Sequence, residues 1–196
     1  MQLPAGPLRE TCAHYNARMT PLSNTDPRFP TGKFTFDPDV TPDKRRRAIE
    51  SIRETPAKLR AAARGLTDAQ LDTPYRDGGW TARQVIHHVP ESHVNAFIRF
   101  KLALTEDNPT IKPYDEDAWV KLPDVARTPI ESSLAFVEAL HARWVALLDV
   151  MTDADFRRRL IHPERGGITL DTLLQIYAWH GPHHISHVQL VTKRSA

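Results

Sequence analysis

An internal repeat constrains the fold of this chain more than any other feature. The segments GLTDAQL and GGWTARQV, at residues 65–71 and 78–85, are matched by VMTDADF and GGITLDTL, at residues 150–156 and 166–173. In each half, a Thr-Asp turn and a Gly-Gly loop lie between two long segments with helical periodicity. The repeat therefore predicts two helix pairs, and four long helices of this kind pack as an all-α four-helix bundle.

Capping residues and apolar periodicity predict where the long helices lie. Each begins after a threonine, and the four are Thr41, Thr81, Thr128 and Thr169. Gln84 and Glu131 complete capping boxes with Thr81 and Thr128. Three of the helices contain a proline, which removes a backbone donor and disturbs helix geometry: Pro56, Pro90 and Pro182. No segment predicts a strand.

Composition places limits on organisation and partners. Residues 1–40 are rich in proline and lack periodicity, so we expect an irregular arm before a bundle domain at 41–196. The formal net charge is only +2, and the basic run at 44–47 is typical of a solvated helix face, so no nucleic-acid partner is expected. No apolar run approaches the roughly 20 residues of a membrane span, and no secretory signal is evident. These features predict a cytoplasmic protein without a membrane partner.

Histidine is the unusual component of the composition. Seven of the ten histidines form two clusters, which are His87, His88 and His93, then His180, His183, His184 and His187. On a helix, His183 and His187 share one face. His88 follows Thr81 by 7 residues, and the pair follows Thr169 by 14 and 18, which brings all three rings within roughly 40 degrees of a common direction. Three imidazoles bind one divalent metal and leave a fourth position open, as in catalytic sites.

Spacing alone leaves other ligand sets open. His180 and His184 form an equally good four-residue pair, and His87 adjoins His88. Three histidines lack a comparable partner pattern and are predicted to be structural, namely His93, His141 and His162.

Two segments resemble a known family. LDTPYRDGGWTARQVIHHVPESHVNAFIRFKLALTE and YAWHGPHHISH are similar to the YfiT branch of the DinB-like superfamily, whose named members include bacillithiol transferases. The resemblance runs from about Phe29 to the C-terminus. It implies a four-helix bundle, a homodimer and one divalent metal, zinc or nickel, held by His88, His183 and His187. Pro90 and Pro182 depart from the smooth helices of that pattern.

The resemblance implies a function with two alternatives. The first expectation is a metal-dependent S-transferase that conjugates a low-molecular-weight thiol of the bacillithiol type to an electrophilic small molecule. The alternative is a hydrolase whose metal-bound hydroxide attacks an amide or ester. A third possibility is a non-catalytic binding or dimerisation module in which the metal is structural, and a fourth protein ligand would favour it.

Few other residues have a predicted role. No arrangement of serine, cysteine or lysine indicates a covalent nucleophile, so the catalytic group stays unassigned. Glu91, three residues after His88, is a weak candidate for proton transfer, because an exposed helix glutamate fits the pattern as well. The weak candidates for the wall of a substrate pocket are Arg76, Asp77, Trp80 and Trp179.

Overall fold

The structure, a computed structural model, describes residues 26–194. Its four long helices are α1 (Pro42–Ala63), α3 (Ala82–Thr105), α6 (Ile130–Leu148) and α8 (Leu170–Arg194). The shorter elements between them are α2 (Asp68–Leu71), α4 (Glu116–Trp119), α5 (Pro123–Arg127), α7 (Asp153–Phe156), β1 (Arg159–His162) and β2 (Gly166–Thr169). The predicted four-helix bundle of two helix pairs is confirmed.

Each long helix packs chiefly against two others. Helix α1 contacts α8 and α6, and α3 contacts the same two helices, so the four close around one interior. Two apolar clusters fill that interior, one around Phe100 and Trp144 and the other around Leu59 and Val188. None of the described helices combines the length and apolar character needed to cross a bilayer.

The repeat has a structural counterpart in the helix caps. Thr81 Oγ1 accepts a hydrogen bond from the Gln84 amide, and Gln84 Oε1 accepts one from the Thr81 amide, which is the predicted capping box. Equivalent boxes at Thr67 and Thr152 begin the short helices α2 and α7, one in each half.

The capping box predicted at Thr128 was wrong. Helix α6 begins at Ile130 with Pro129 as its N-cap, and no side chain caps it. Thr128 instead follows α5, where its amide donates to the carbonyl of Asp124. Thr128, which the sequence pattern assigned to the start of α6, is therefore the C-cap of α5.

The absence of strands was also a wrong expectation. Strands β1 and β2 form an antiparallel hairpin, in register from Arg159 opposite Thr169 to His162 opposite Gly166. The first half contains only one bridge at the matching place, between Pro74 and Thr81. Each strand has only four residues, too few for an alternation of apolar and polar side chains to be recognised in the sequence. The hairpin also depends partly on distant backbone, because the Ile161 amide and carbonyl bond to the 109–111 segment.

The interior prolines leave two backbone carbonyls for side chains to satisfy. Proline has no N–H, so the carbonyl four residues earlier loses its helical donor. The carbonyl freed by Pro182 is that of Ala178, and Ser51 Oγ donates to it at 2.7 Å. The carbonyl freed by Pro56 is that of Ile52, which lies 2.7 Å from a ring nitrogen of His141.

The described part of the predicted arm, residues 26–40, has no helix or strand and lies along α8. Trp179 Nε1 donates to the carbonyl of Gly32 at 3.1 Å, and the Gln175 amide group exchanges two hydrogen bonds with the backbone of Asp37. Residues 1–25 of that arm lie outside the described residues.

Gly181 allows α8 to approach α1 closely. A Cβ at this position would lie 2.4 Å from Thr55 Oγ1 and 2.9 Å from Thr55 Cγ2. We expect Gly181→Ala to lower the free energy of unfolding by about 1–3 kcal/mol, because overpacking outweighs the gain in helix propensity. Urea denaturation measures this change. Combining it with Thr55→Ala should recover most of the loss, and strictly additive effects of the two substitutions would contradict the explanation.

Candidate metal centre

The histidines form a layer between the two apolar clusters of the bundle. Helices α3 and α8 supply both sequence clusters, and α6 adds His141. All of these rings are buried except that of His180, which is partly buried. The layer exists because α3 and α8 are neighbours and because His88 of α3 packs against His180 and His184 of α8.

Two overlapping groups in this layer have the composition of a metal site. One ring nitrogen from each of His88, His180 and His184 lies within 4.8 Å of the others, and the same holds for His183, His184 and His187. The first group draws ligands from two helices. The second lies entirely on α8, and His184 belongs to both.

The predicted set of His88, His183 and His187 is therefore divided between the groups. Among the described residues, no such group joins His88 to the other two. The reason lies in helix rotation, because His180 and His184 precede His183 and His187 by three positions, equivalent to about 60 degrees around the axis. Counting positions from Thr81 and Thr169 treats these two residues as equivalent starting points. A capping residue does not determine how far its helix is rotated about its own axis.

Distances in the first group suit a cation. His88 Nε2 lies 3.3 Å from His180 Nε2. Two imidazole nitrogens on a tetrahedral zinc, each about 2.0–2.1 Å from the metal, lie roughly 3.3–3.4 Å apart. The layer also contains ring nitrogens that are buried and have no hydrogen-bond partner among residues 26–194, at His88 Nδ1, His183 Nδ1 and His187 Nε2. The donor set fits a divalent metal of the kind that imidazole prefers.

Burial keeps these imidazoles neutral. Loss of solvent lowers the pKa of His88, His183 and His187 to about 4 in each case. Burial also lowers the pKa of His180 and of His184 well below its ordinary value, and neighbouring histidines add to the effect. Only a neutral imidazole offers a lone pair, so the rings are prepared to bind a cation at neutral pH without first losing a proton.

A pocket of about 430 Å³ opens beside the first group, and His88 and His180 both line it. Its wall carries charges of both signs, from Arg99, Arg165 and an acidic segment at 115–117. Neither His183 nor His187 lines this pocket. Their rings are covered instead by aromatic side chains, since Trp179 stacks on His183 at 4.2 Å and Tyr75 stacks on His187 at 3.9 Å.

Three hydroxyl groups lie in the pocket wall near His180. Ser92 Oγ is 3.4 Å from His180 Nε2 and 3.4 Å from the Tyr177 hydroxyl, which donates to the Ser92 carbonyl. The Tyr114 hydroxyl is buried beside Ser92, and it makes no hydrogen bond of normal geometry within the described residues. Burial raises the pKa of Tyr114, so the group stays protonated and able to donate.

The four predicted pocket residues lie in different places. Trp80 lines the pocket, packs edge-on to His88 and donates from Nε1 to Asp117 at 2.8 Å. Arg76 and Asp77 line a separate, shallower hollow beside residues 26–28. Trp179 packs against the arm and His183, away from the pocket wall.

Glu91 does not line the pocket. Burial raises the pKa of its carboxyl, and the nearby Asp124 raises it further. One of its carboxylate oxygens is buried without a hydrogen-bond partner within the described residues. The role in proton transfer considered for Glu91 stays untested.

Sequence reasoning missed several residues of this site. The four-residue spacing of His180 and His184 was visible, but only the packing of α8 on α3 distinguishes it from the alternative. Tyr114 and Ser92 carried no recognisable signal, because Tyr114 lies in the connection between α3 and α4. His93 and His141, expected to be structural, are hydrogen-bonded in series to His180.

Comparison with known proteins agrees with the resemblance. The model of the DinB superfamily matches residues 51–188. YfiT of Bacillus subtilis (strain 168) is 44% identical over 174 residues, covering 88% of this chain and 98% of YfiT. A protein of Bacillus cereus (strain 03BB102) is 48% identical over 169 residues, covering 86% of this chain and 97% of its own length. The names of both relatives describe a metal-dependent hydrolase.

Solved structures give the same fold. The structure of YfiT from Bacillus subtilis has a TM-score of 0.84 at 45% identity and covers 87% of this chain and 98% of its own. It is described as "a probable metal-dependent hydrolase with an unusual four-helix bundle topology". A second four-helix bundle protein has a TM-score of 0.50 at 19% identity and supports the fold alone.

Proposed function

This chain belongs to the DinB superfamily, and from that premise we propose that it is a metal-dependent hydrolase acting on an amide or ester of a small polar molecule. One observation carries the proposal: His88 and His180 belong both to a three-histidine group and to the wall of an open pocket. The names of close relatives support hydrolysis over thiol transfer. The thiol co-substrate and the homodimer stay predictions.

We propose that His88, His180 and His184 hold the cation. They come from two helices, their ring nitrogens are mutually close, and two of them border the pocket, so a fourth coordination position would face substrate. A divalent metal held there supplies a Lewis acid that polarises a carbonyl and lowers the pKa of water. Zinc and nickel both accept imidazole ligands.

The other side chains of the pocket bind and orient the substrate. The protonated hydroxyl of Tyr114 lies beside Ser92, makes no hydrogen bond of normal geometry within the described residues, and is able to donate to a carbonyl oxygen as negative charge develops on it. Arg99 and the acidic segment at 115–117 border the same space, so a substrate with polar groups of both signs would be oriented by them.

The ligand proposal is tested by metal content. We expect about one metal ion per purified wild-type chain, and loss of most of it in His88→Gln, His180→Gln and His184→Gln, because each removes one of three ligands. Elemental analysis measures the content. The matched variants His183→Gln and His187→Gln, on the same helix, should keep the metal.

The reverse pattern would overturn this ligand set. Metal retained in His180→Gln but lost in His183→Gln and His187→Gln would support the set predicted from family resemblance. Circular dichroism of each variant separates loss of a ligand from loss of the fold.

The reaction class is tested with ester and amide panels. Protein loaded with zinc or nickel should hydrolyse a substrate without added thiol, and a chelator should abolish the activity, because the polarising cation is removed. Product release followed by mass spectrometry measures this. Adducts formed only when a low-molecular-weight thiol is present, with no hydrolysis, would instead support the S-transferase.

Tyr114 is tested by removing its hydroxyl alone. We expect Tyr114→Phe to lower kcat by about 10²-fold with little change in KM, because the lost donor stabilises charge that develops after binding. Steady-state kinetics on the substrate found above measures both constants. A rise in KM with unchanged kcat would show that the hydroxyl only helps binding.

A further inference from the structure

Three histidines form a hydrogen-bonded series that ends at the proposed cation site. His141 Nδ1 lies 2.7 Å from the Ile52 carbonyl oxygen. His141 Nε2 lies 2.7 Å from His93 Nδ1, and His93 Nε2 lies 3.0 Å from His180 Nδ1. The series thus runs from α1 through α6 and α3 to α8, and it touches all four long helices.

The first histidine of the series, His141, is hydrogen-bonded to an anchor, the Ile52 carbonyl oxygen, which can only accept a hydrogen bond. A carbonyl oxygen has no proton to give, so the nitrogen of His141 that faces Ile52 must carry the hydrogen. The Ile52 carbonyl can accept this hydrogen bond because the residue four positions later is Pro56, which has no backbone N–H to donate to it.

The anchor determines the tautomer of each following ring. A neutral imidazole has one N–H and one lone pair, and burial without a nearby carboxylate disfavours a second proton. If His141 Nδ1 carries its hydrogen, then Nε2 accepts from His93 Nδ1. His93 Nε2 in turn accepts from His180 Nδ1. His180 is left with an unprotonated Nε2, which is the nitrogen that lies beside His88 and the pocket.

We propose that His141 and His93 are positioning residues, which hold His180 in the Nδ1–H tautomer so that its Nε2 lone pair is directed at the cation site. The proposal rests on the proposed function, in which His180 is a ligand. The usual partner behind a metal-binding histidine is a carboxylate, backbone carbonyl or water. Here two further imidazoles lie between the ligand and the carbonyl of Ile52.

The series does not conduct protons away from the site. Its far end is a backbone carbonyl, which does not take up a proton, and His141 is buried between α1 and α6. Its effect is to orient the ring of His180 and to determine which nitrogen is free.

The tautomers can be measured without metal. In protein labelled with ¹⁵N-histidine, two-bond ¹H–¹⁵N spectra distinguish protonated from unprotonated ring nitrogens, and His180→Gln assigns the His180 signals. We expect His141, His93 and His180 all to carry their hydrogen on Nδ1 in the wild type. A wild-type His180 protonated on Nε2 would overturn the proposal.

A variant then tests whether the series matters for binding. His141→Phe keeps a ring of similar shape but removes the acceptor for His93, so His180 should partly shift to the Nε2–H tautomer. The Kd for zinc, measured by competition with a chromophoric chelator, should rise about 10- to 100-fold.

Trp144→Phe is the matched control, because Trp144 packs edge-on against His93 and His141 but its Nε1 makes no hydrogen bond within the described residues. It should leave both the tautomers and the Kd for zinc unchanged. An equal weakening in the two variants would overturn the proposal, because general loosening of the core would then explain it. A wild type with the expected tautomers that binds no zinc would instead overturn the proposed function.

Discussion

Helix α8 packs against α1 and α3 at the same time, and the arrangement of the histidine layer depends on that contact. The approach to α1 is close enough that only glycine fits opposite Thr55. The approach to α3 brings His180 within hydrogen-bonding distance of both His88 and His93. A wider separation of α8 from α3 would leave these imidazoles without those partners inside an apolar core, where an unsatisfied polar group is costly.

Buried imidazoles impose a second constraint, since each must be neutral and each has one nitrogen that donates and one that accepts. Protein interiors usually satisfy such groups with backbone or carboxylates. In this bundle His141, His93 and His180 satisfy one another in series, and the series ends at one carbonyl. Pro56 and Pro182 contribute to the arrangement, because each frees a carbonyl that a side chain from another helix then occupies. The prolines thereby tie neighbouring helices together.

The layer also has two chemically different sides. On one side, His88 and His180 border an open pocket with charged and hydroxyl groups. On the other, His183 and His187 are covered by Trp179, Tyr75 and the arm. A ligand set that includes the first side leaves a cation accessible to substrate. This asymmetry is the reason that the proposed reaction is assigned to the pocket beside Trp80.

The sequence by itself determined the architecture and predicted the kind of site. The repeated Thr-Asp turns, the capping box at Thr81 and the apolar stripes are local signals, and they placed the bundle and its histidine clusters on α3 and α8. Only the tertiary structure distinguished His180 and His184 from His183 and His187, because three residues along a helix rotate a side chain by only about 60 degrees from the face in question. The hairpin at 159–169 and the series from His141 to His180 were likewise decided by tertiary contacts. The 109–111 segment that bonds to Ile161, and the helices that supply the histidine series, lie far apart in the chain, and no local pattern records such contacts.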